Sequence, residues 1–452
     1  MPTTLQDVQE QYAWFKKMRD TQPIWLDEVS KCWHVFRFAD VNTVLTEYAL
    51  FSSDFSVEPK LPAQAQSEPS ESVQEQPEAQ GKRRRGPGQS LFQMDPPQHR
   101  KYRNLVSNSF TPRALGRMTE RIAVITQELL DQIRPLGHVD FVPAFAYPLP
   151  TMVIAEMLGV PISDRPLFKT WADGLLDFQV SDAEALQARE ALQSDNQEPK
   201  KQEPRENPGM QRMRRLMEDM SDYFETTLED RRRQPRNDMM SELLVAEVDG
   251  ERLSINDLIS FCILLLFAGH ITTTNLLSQT VRCFSEHPDA FAQVRAHPEL
   301  IPGAAEEVLR YASPAWRAVR TTTADVTLEG VTIPASSLVF AWLASANRDE
   351  RQFPEPERFD ITRDPNHHVA FGHGIHFCLG APLARLEASI ALPMLIRQLP
   401  DLHVVSEEPV QLYSSMALFG LKHLPVAFTA SDVQVHSASS DEAPAARGPS
   451  LA

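Results

Sequence analysis

Cysteine is scarce: four residues in 452, at Cys32, Cys262, Cys283 and Cys378. So few and so scattered, they build no disulfide scaffold, and a reducing, cytoplasmic setting is expected. Long apolar runs are lacking too. The strongest, residues 261–269, is far short of the roughly 20 residues that cross a bilayer, and the first twenty residues have no apolar signal core. A protein without a membrane span is expected. Positive charge is in deficit, with 44 Lys plus Arg against 61 Asp plus Glu and a net charge of -17. Such a surface repels phosphate backbones, which excludes nucleic acid as a natural partner.

Aromatic residues are missing from two stretches, 58–90 and 181–209, both rich in Gln, Glu and Pro. Such sequence buries too little apolar surface to offset its ordering entropy. Apolar periodic sequence resumes on each side, so both read as long inserted loops within one domain, residues 1–430, and residues 431–452 read as a disordered tail.

Over the whole chain 42% of residues are hydrophobic, and outside these stretches helical periodicity dominates. Thr111-Pro112 offers an N-cap and a first-turn proline for a helix to about Ile133. Ser254 with Asp257 forms a capping-box pattern, and no proline interrupts the run from Ile255 to about Phe284. At 1.5 Å per residue that helix is about 45 Å long. Short β-prone pieces stand at 32–38, 326–333 and 337–342. The expected class is mainly α with small β-sheets.

The chemistry concentrates at Phe371-Gly-His-Gly-Ile-His-Phe-Cys-Leu-Gly380, directly before another helical run. Gly372, Gly374 and Gly380 let backbone turn tightly beside a flat ligand. Cys378 precedes a helix whose N-terminal dipole favours a thiolate. Three readings stand for this cysteine. It is an ordinary buried residue; or it joins His367, His368, His373 and His376 on zinc, although paired cysteines are missing; or it is the single thiolate ligand of a haem iron.

The ten-residue pattern F-G-x-G-x-H-x-C-x-G resembles the haem-binding loop of the cytochrome P450 family. Glu307-Val-Leu-Arg310 resembles its E-x-x-R pair, and Ala268-Gly269-His-Ile-Thr272-Thr273 its oxygen-activating segment. Segments 95–103, 346–349 and 353–360 extend the resemblance over residues 10–428, in the style of soluble bacterial members that tailor polyketides, peptides and related secondary metabolites.

That resemblance implies the P450 fold, with haem b between a long distal helix and a proximal helix, and Cys378 as axial metal ligand under Phe371, Gly372 and Gly380. It implies His99, Arg103, Arg320 and His376 on the haem propionates, and Thr272, Gly269 and Ala268 in the oxygen groove. Glu307 and Arg310 become a structural pair tied through Arg358. Substrate contacts fall on Leu91, Phe92, Leu265, Ala268, Ala315, Trp316, Ala318, Val319, Met416, Leu418 and Phe419. The implied reaction inserts one atom of O2 into an apolar substrate, free or carrier-bound, by hydroxylation or epoxidation. NAD(P)H electrons arrive through a ferredoxin or flavodoxin and its reductase. Lys101, Arg113, Arg117 and Arg385 are candidates for a docking patch, and Lys82-Arg-Arg-Arg85 for contact with an acidic carrier.

One departure matters: Ile271 stands where the family places an acid before the threonine. Either water ordered by Thr272, helped by His270, brings protons, or solvent suffices. The missing acid also raises a peroxide-driven or oxidative-coupling enzyme as an alternative, although the retained Thr272 argues against peroxide use, and a haem module that recruits a carrier-bound substrate without turnover is a separate one.

Overall fold

The computed structural model describes residues 4–54, 90–180, 208–248, 250–405, 407–413 and 418–431. The expected inserts, the tail, Met416 and the 82–85 basic run lie outside these residues, apart from the insert edges at 90 and 208–209 and the first tail residue, Ser431. Helices follow in the order α1 Leu5–Thr21, α2 Phe38–Thr46, α3 Gln98–Ser107, α4 Pro112–Gly116, α5 Thr119–Ile133, α6 Pro148–Leu158 and α7 Arg165–Val180. Then come α8 Pro208–Arg233, α9 Met239–Val245, α10 Ile255–Glu286, α11 Pro288–Ala296, α12 Ile301–Tyr311, α13 Leu343–Ala346 and α14 Ala381–Gln398.

Local signals explain several boundaries. Ser254 accepts from Asp257 N while the Asp257 side chain accepts from Ser254 N, closing the box that starts α10. Thr111 caps α4, but the single helix expected to Ile133 is two, α4 and α5, separated at Arg117 and Met118. By length and composition α10 is apolar enough to cross a membrane. It is instead the central core helix, packed against α5's neighbour α6, against α8, α12 and α14.

The main sheet runs β1 Ile24–Leu26, β2 Trp33–Val35, β10 Leu338–Ala341, β7 Ala318–Thr322 and β3 Phe51–Ser52. Strand β2 lies parallel to β10, and β10 antiparallel to β7 with Val339 opposite Arg320. The 326–333 segment is a hairpin of β8 Val326–Leu328 and β9 Val331–Ile333. Its turn residues Glu329 and Gly330 both have positive φ, the geometry that matches strand twist in a two-residue turn. Smaller pairings join β14 Pro425–Ala427 to β4 His138–Asp140 on one side and β11 His403–Val404 on the other, β5 Glu247–Val248 to β6 Glu251–Arg252, and β12 Gln411–Leu412 to β13 Leu421–His423. One large apolar cluster centres on α10, α6, α5 and α14, and a second fills the space under the main sheet. The site loops hang between them.

Candidate functional site

Residues 371–380 form a loop closed by Cys378 N donating to Phe371 O at 2.8 Å. Gly372 and Gly374 have φ of +69° and +70°, where any side chain is strained. At Gly374 a Cβ would also sit 2.8 Å from Leu45 O of α2. Gly380 differs from expectation: its φ is right-handed, -82°, and it caps α14. Phe371 packs under Arg385, whose guanidinium lies 4.7 Å from the ring centroid.

Burial pushes the Cys378 thiol above its ordinary range. The N–H groups of Gly380 and Ala381 and the charges of Arg103 and Arg385 oppose this without reversing it. A metal cation at the sulfur would favour the thiolate further. Among the described residues no cluster of three His, Cys, Asp or Glu side chains has the spacing of a metal site, so the zinc reading fails. His368 is instead bonded to Glu306, and His373 to Asn42 of α2.

Four basic side chains from three separate segments meet beside the loop. His99 and His376 have ring centroids 4.3 Å apart, and each has a buried Nε2 with no hydrogen-bond partner. Burial, then Arg320, His99 and Arg103, push His376 down to about 3. Burial and Arg103 lower His99 in the same way. Arg103 comes from α3 and Arg320 from β7, both desolvated. Asp95 is the carboxylate whose field reaches His99 and Arg320. A desolvated, mutually repelling basic cluster with two orphaned imidazole nitrogens is stabilised by anions. Two carboxylates on a flat ligand over Cys378 match it, so the residues present fit haem.

The distal wall is α10. Thr272 Oγ1 donates to Ala268 O at 3.0 Å, leaving its lone pairs directed away from its own helix, and both residues are partly exposed. Gly269 has another role: a Cβ there would lie 2.7 Å from Ile154 Cδ1, so the glycine lets α10 approach α6. Ile271 is buried at 3% exposure in the core. His270 donates from Nδ1 to Leu266 O and sets its ring edge against Tyr147, 5.4 Å away. Burial pushes it down to about 4, so it is neutral, and no hydrogen bond joins it to Thr272.

Of the expected substrate contacts, Ala315 and Leu418 form a β-bridge, while Leu265 is buried on α10. Leu91 touches a crevice with Tyr102 and Leu264, and Phe92 is 54% exposed. Ala318 and Val319 are half-buried on β7. Trp316 and Phe419 pack with their rings tilted at 41° and centroids 5.2 Å apart, both buried, which makes them core as much as lining.

Glu307 and Arg310 are fully buried and joined twice at 2.8 Å. Arg310 also donates to the carbonyls of Asn347, Pro356 and Arg358. The expected tie through the Arg358 side chain is not made: that guanidinium is exposed and pairs with Glu355 and Asp360. Arg363 reaches Glu307 instead, at 3.3 Å, joined by Asn366 and the Asp360 N–H. The proposed docking cations are also largely committed: Lys101 pairs with Glu251, Arg117 with Glu242 and Arg385 with Glu306.

Comparison with known proteins agrees with this geometry. The family model described as Cytochrome P450 matches residues 55–426. A putative cytochrome P450, YjiB, from Bacillus subtilis is 39% identical over 93% of this chain and 94% of its own. The erythromycin C-12 hydroxylase of Saccharopolyspora erythraea is 36% identical over 91% and 93%. The solved open structure of histidine-tagged cytochrome P450 Eryk from S. erythraea superposes with a TM-score of 0.80 at 35% identity, covering 96% of this chain and 99% of that one.

Proposed function

The chain belongs to the cytochrome P450 family, and from that premise we propose that it oxygenates a bulky, apolar secondary metabolite of the polyketide or peptide type. As a family member it is a P450 monooxygenase that uses haem, O2 and NAD(P)H-derived electrons delivered by redox partners. Haem, when bound, supplies the activation of O2 and the transfer of one oxygen atom.

The chain's residues do the rest. Cys378 would ligate the iron, Arg103 and Arg320 would neutralise the two propionates, and the orphaned Nε2 atoms of His99 and His376 would hydrogen-bond to them. Leu265, Ala268, Ala315, Val319 and Phe419 line an apolar space that orients a ligand by shape. Thr272 offers an acceptor oxygen that orders water, and protons reach the groove through that water because Ile271 carries none. The observation that carries the reading is the orphaned basic cluster beside the Cys378 loop. A cytoplasmic location and a ferredoxin or flavodoxin donor complete the proposal, and a hydroxylase among the relatives supports C–H hydroxylation.

The test is the carbon monoxide spectrum of the reduced protein, followed by turnover with surrogate ferredoxin and reductase on a panel of macrolactones and cyclic peptides. A strongly red-shifted Soret band and a product heavier by one oxygen are expected. Tight binding with no reductant-dependent product would overturn it. A buried isoleucine in place of the acid favours one second reading, peroxide-driven oxidation, recognised by product that forms with hydrogen peroxide and no electron donor.

A further inference from the structure

One cation beside the Cys378 loop belongs neither to the basic cluster at His99 nor to a free docking patch. Arg385, on the second turn of α14, holds its guanidinium 4.7 Å from the Phe371 ring centroid. Phe371 O accepts from Cys378 N at 2.8 Å, so ring and sulfur belong to one closed loop. Burial raises the Cys378 thiol, and Arg103 and Arg385 are the two charges whose fields oppose it. Arg103 has other calls on it, because it donates to Phe377 O and sits among the four basic side chains. Arg385 has none on that side.

A clamp fixes that guanidinium in place. Glu306 of α12 accepts from Arg385 Nε at 2.7 Å and from a terminal nitrogen at 2.8 Å, a two-point fork that sets the plane of the group. His368, 3% exposed, meets the same carboxylate, with Nε2 3.1 Å from Glu306 Oε2. His368 Nδ1 accepts from Ala370 N, so the proton of the neutral ring stands on Nε2 and is donated to Glu306. Burial would lift the Glu306 carboxyl, but the hydrogen bonds from Arg385 and His368 overcome it and hold it down at about 2. The clamp is therefore ionised at every working pH, and it joins α12, α14 and the backbone just before Phe371. Although the Arg385 side chain is 43% exposed, a forked and ring-stacked arginine keeps one position where an ordinary surface arginine samples many.

We propose that Arg385, clamped by Glu306 and His368, is a positioning residue that raises the reduction potential of the iron at Cys378, and is not a docking cation for the electron donor. This rests on the haem-thiolate reading above. Reduction takes one electron from the ferredoxin or flavodoxin; no bond forms or breaks, and the iron–sulfur unit gains one negative charge. A cation held at a fixed distance favours that more negative state. Arg385, and not Glu306, is among the leading influences on the Cys378 sulfur, so the clamped pair acts there as a positive charge. The same cation draws electron density back along the thiolate and moderates its push on the iron. Without it the iron is harder to reduce and the sulfur is a stronger donor.

The test titrates the substrate-free, haem-loaded protein with dithionite in the presence of redox dyes and reads the midpoint potential from the Soret band. Arg385→Gln should shift the ferric–ferrous equilibrium about tenfold toward ferric, which is about 59 mV for a one-electron couple. It should also lower the carbon–oxygen stretching frequency of the ferrous carbon monoxide complex, the mark of a stronger thiolate donor. The double variant Glu306→Gln with Arg385→Gln has the parent's net charge and should still shift by about threefold or more, because the lost cation is the one that acts on the sulfur. Arg385→Lys keeps the charge and should stay within about twofold of the parent; it decides the matter alone if Arg385→Gln loses the thiolate band. The reduced carbon monoxide spectrum of each variant checks that band first, and a parent without it overturns the haem-thiolate reading separately from the role of Arg385. An unchanged potential in Arg385→Gln, a double variant that returns to the parent value, or an Arg385→Lys protein that falls about tenfold would overturn the proposal. An unchanged potential with slower reduction by ferredoxin would overturn it in favour of docking.

Discussion

Glu387 shows how far a single residue can depart from the rules of the interior. It is fully buried on α14, and neither carboxyl oxygen has a hydrogen-bond partner. Burial alone holds it protonated far above its ordinary 4.5. An acid whose folded pKa is raised keeps its proton where the unfolded chain has released it, so stability is lost as pH rises above 4.5. Glu387→Gln keeps the shape and removes that loss. Its urea midpoint should gain on the parent between pH 5 and pH 8; parallel pH profiles would contradict this.

His34 predicts the opposite limb. Burial pushes it down to about 4, so the folded protein resists protonation that the unfolded chain accepts below 6.5. Stability is full above 6.5 and falls as pH drops toward 4, by up to about 1.4 kcal/mol per pH unit. Replacing His34 with Phe should flatten that acid limb in thermal melts taken from pH 7 to pH 4.5.

At the scale of elements, α12 is held by one ion pair whose partners come from the following loop. Removing one member of a fully buried pair leaves an uncompensated charge and costs about 3–5 kcal/mol. Glu307→Ala should therefore yield protein that retains little haem, read as Soret absorbance per unit of protein. Arg363→Ala should cost about 1–3 kcal/mol, since it strips a hydrogen-bonded partner from buried Glu307, whereas exposed Arg358→Ala should cost about 0.5 kcal/mol or less. Equal losses for the two arginines would show that the assignment to Arg363 is wrong.

The same element shows what a sequence carries and what it withholds. Glu307 and Arg310 are one turn apart, so their pairing is legible from spacing alone. The same holds for the Ser254–Asp257 box and the Glu329-Gly330 hairpin, which are decided within four residues. Arg363 is 56 residues from Glu307 and belongs to no local pattern, so nothing but the fold selects it over Arg358. Gly269 is similar. Periodicity places it on α10, but that its bare face meets Ile154 depends on how two helices cross. The basic cluster at His99, Arg103, Arg320 and His376 was legible through family resemblance, since its members are spread over 278 residues.

The whole molecule is acidic, with a net charge of -17, and three of its four candidate docking cations already face carboxylates of their own chain. Long-range attraction for an acidic electron carrier is then weak, and recognition falls to the shape of the face around Arg113 and the Cys378 loop. The rate of reduction by a ferredoxin should change by less than about 3-fold between about 50 and about 300 mM salt. A steep fall, measured by stopped flow, would restore the electrostatic patch.

The contact between Gly374 and Leu45 reaches back from the ligand loop to the first fifth of the chain, and β10 closes a parallel pairing with β2 over a similar span. Both ends of the polypeptide must therefore exist before the loop around Cys378 has its walls. On the ribosome the β1–β2 pair waits, with the other edge of β2 open, for a partner synthesised some 300 residues later, at the usual 5–20 residues per second. Acquisition of the cofactor is thus a late, post-synthetic event. The apoprotein's working lifetime in the cell depends on how well that unfinished sheet is shielded from other nascent chains.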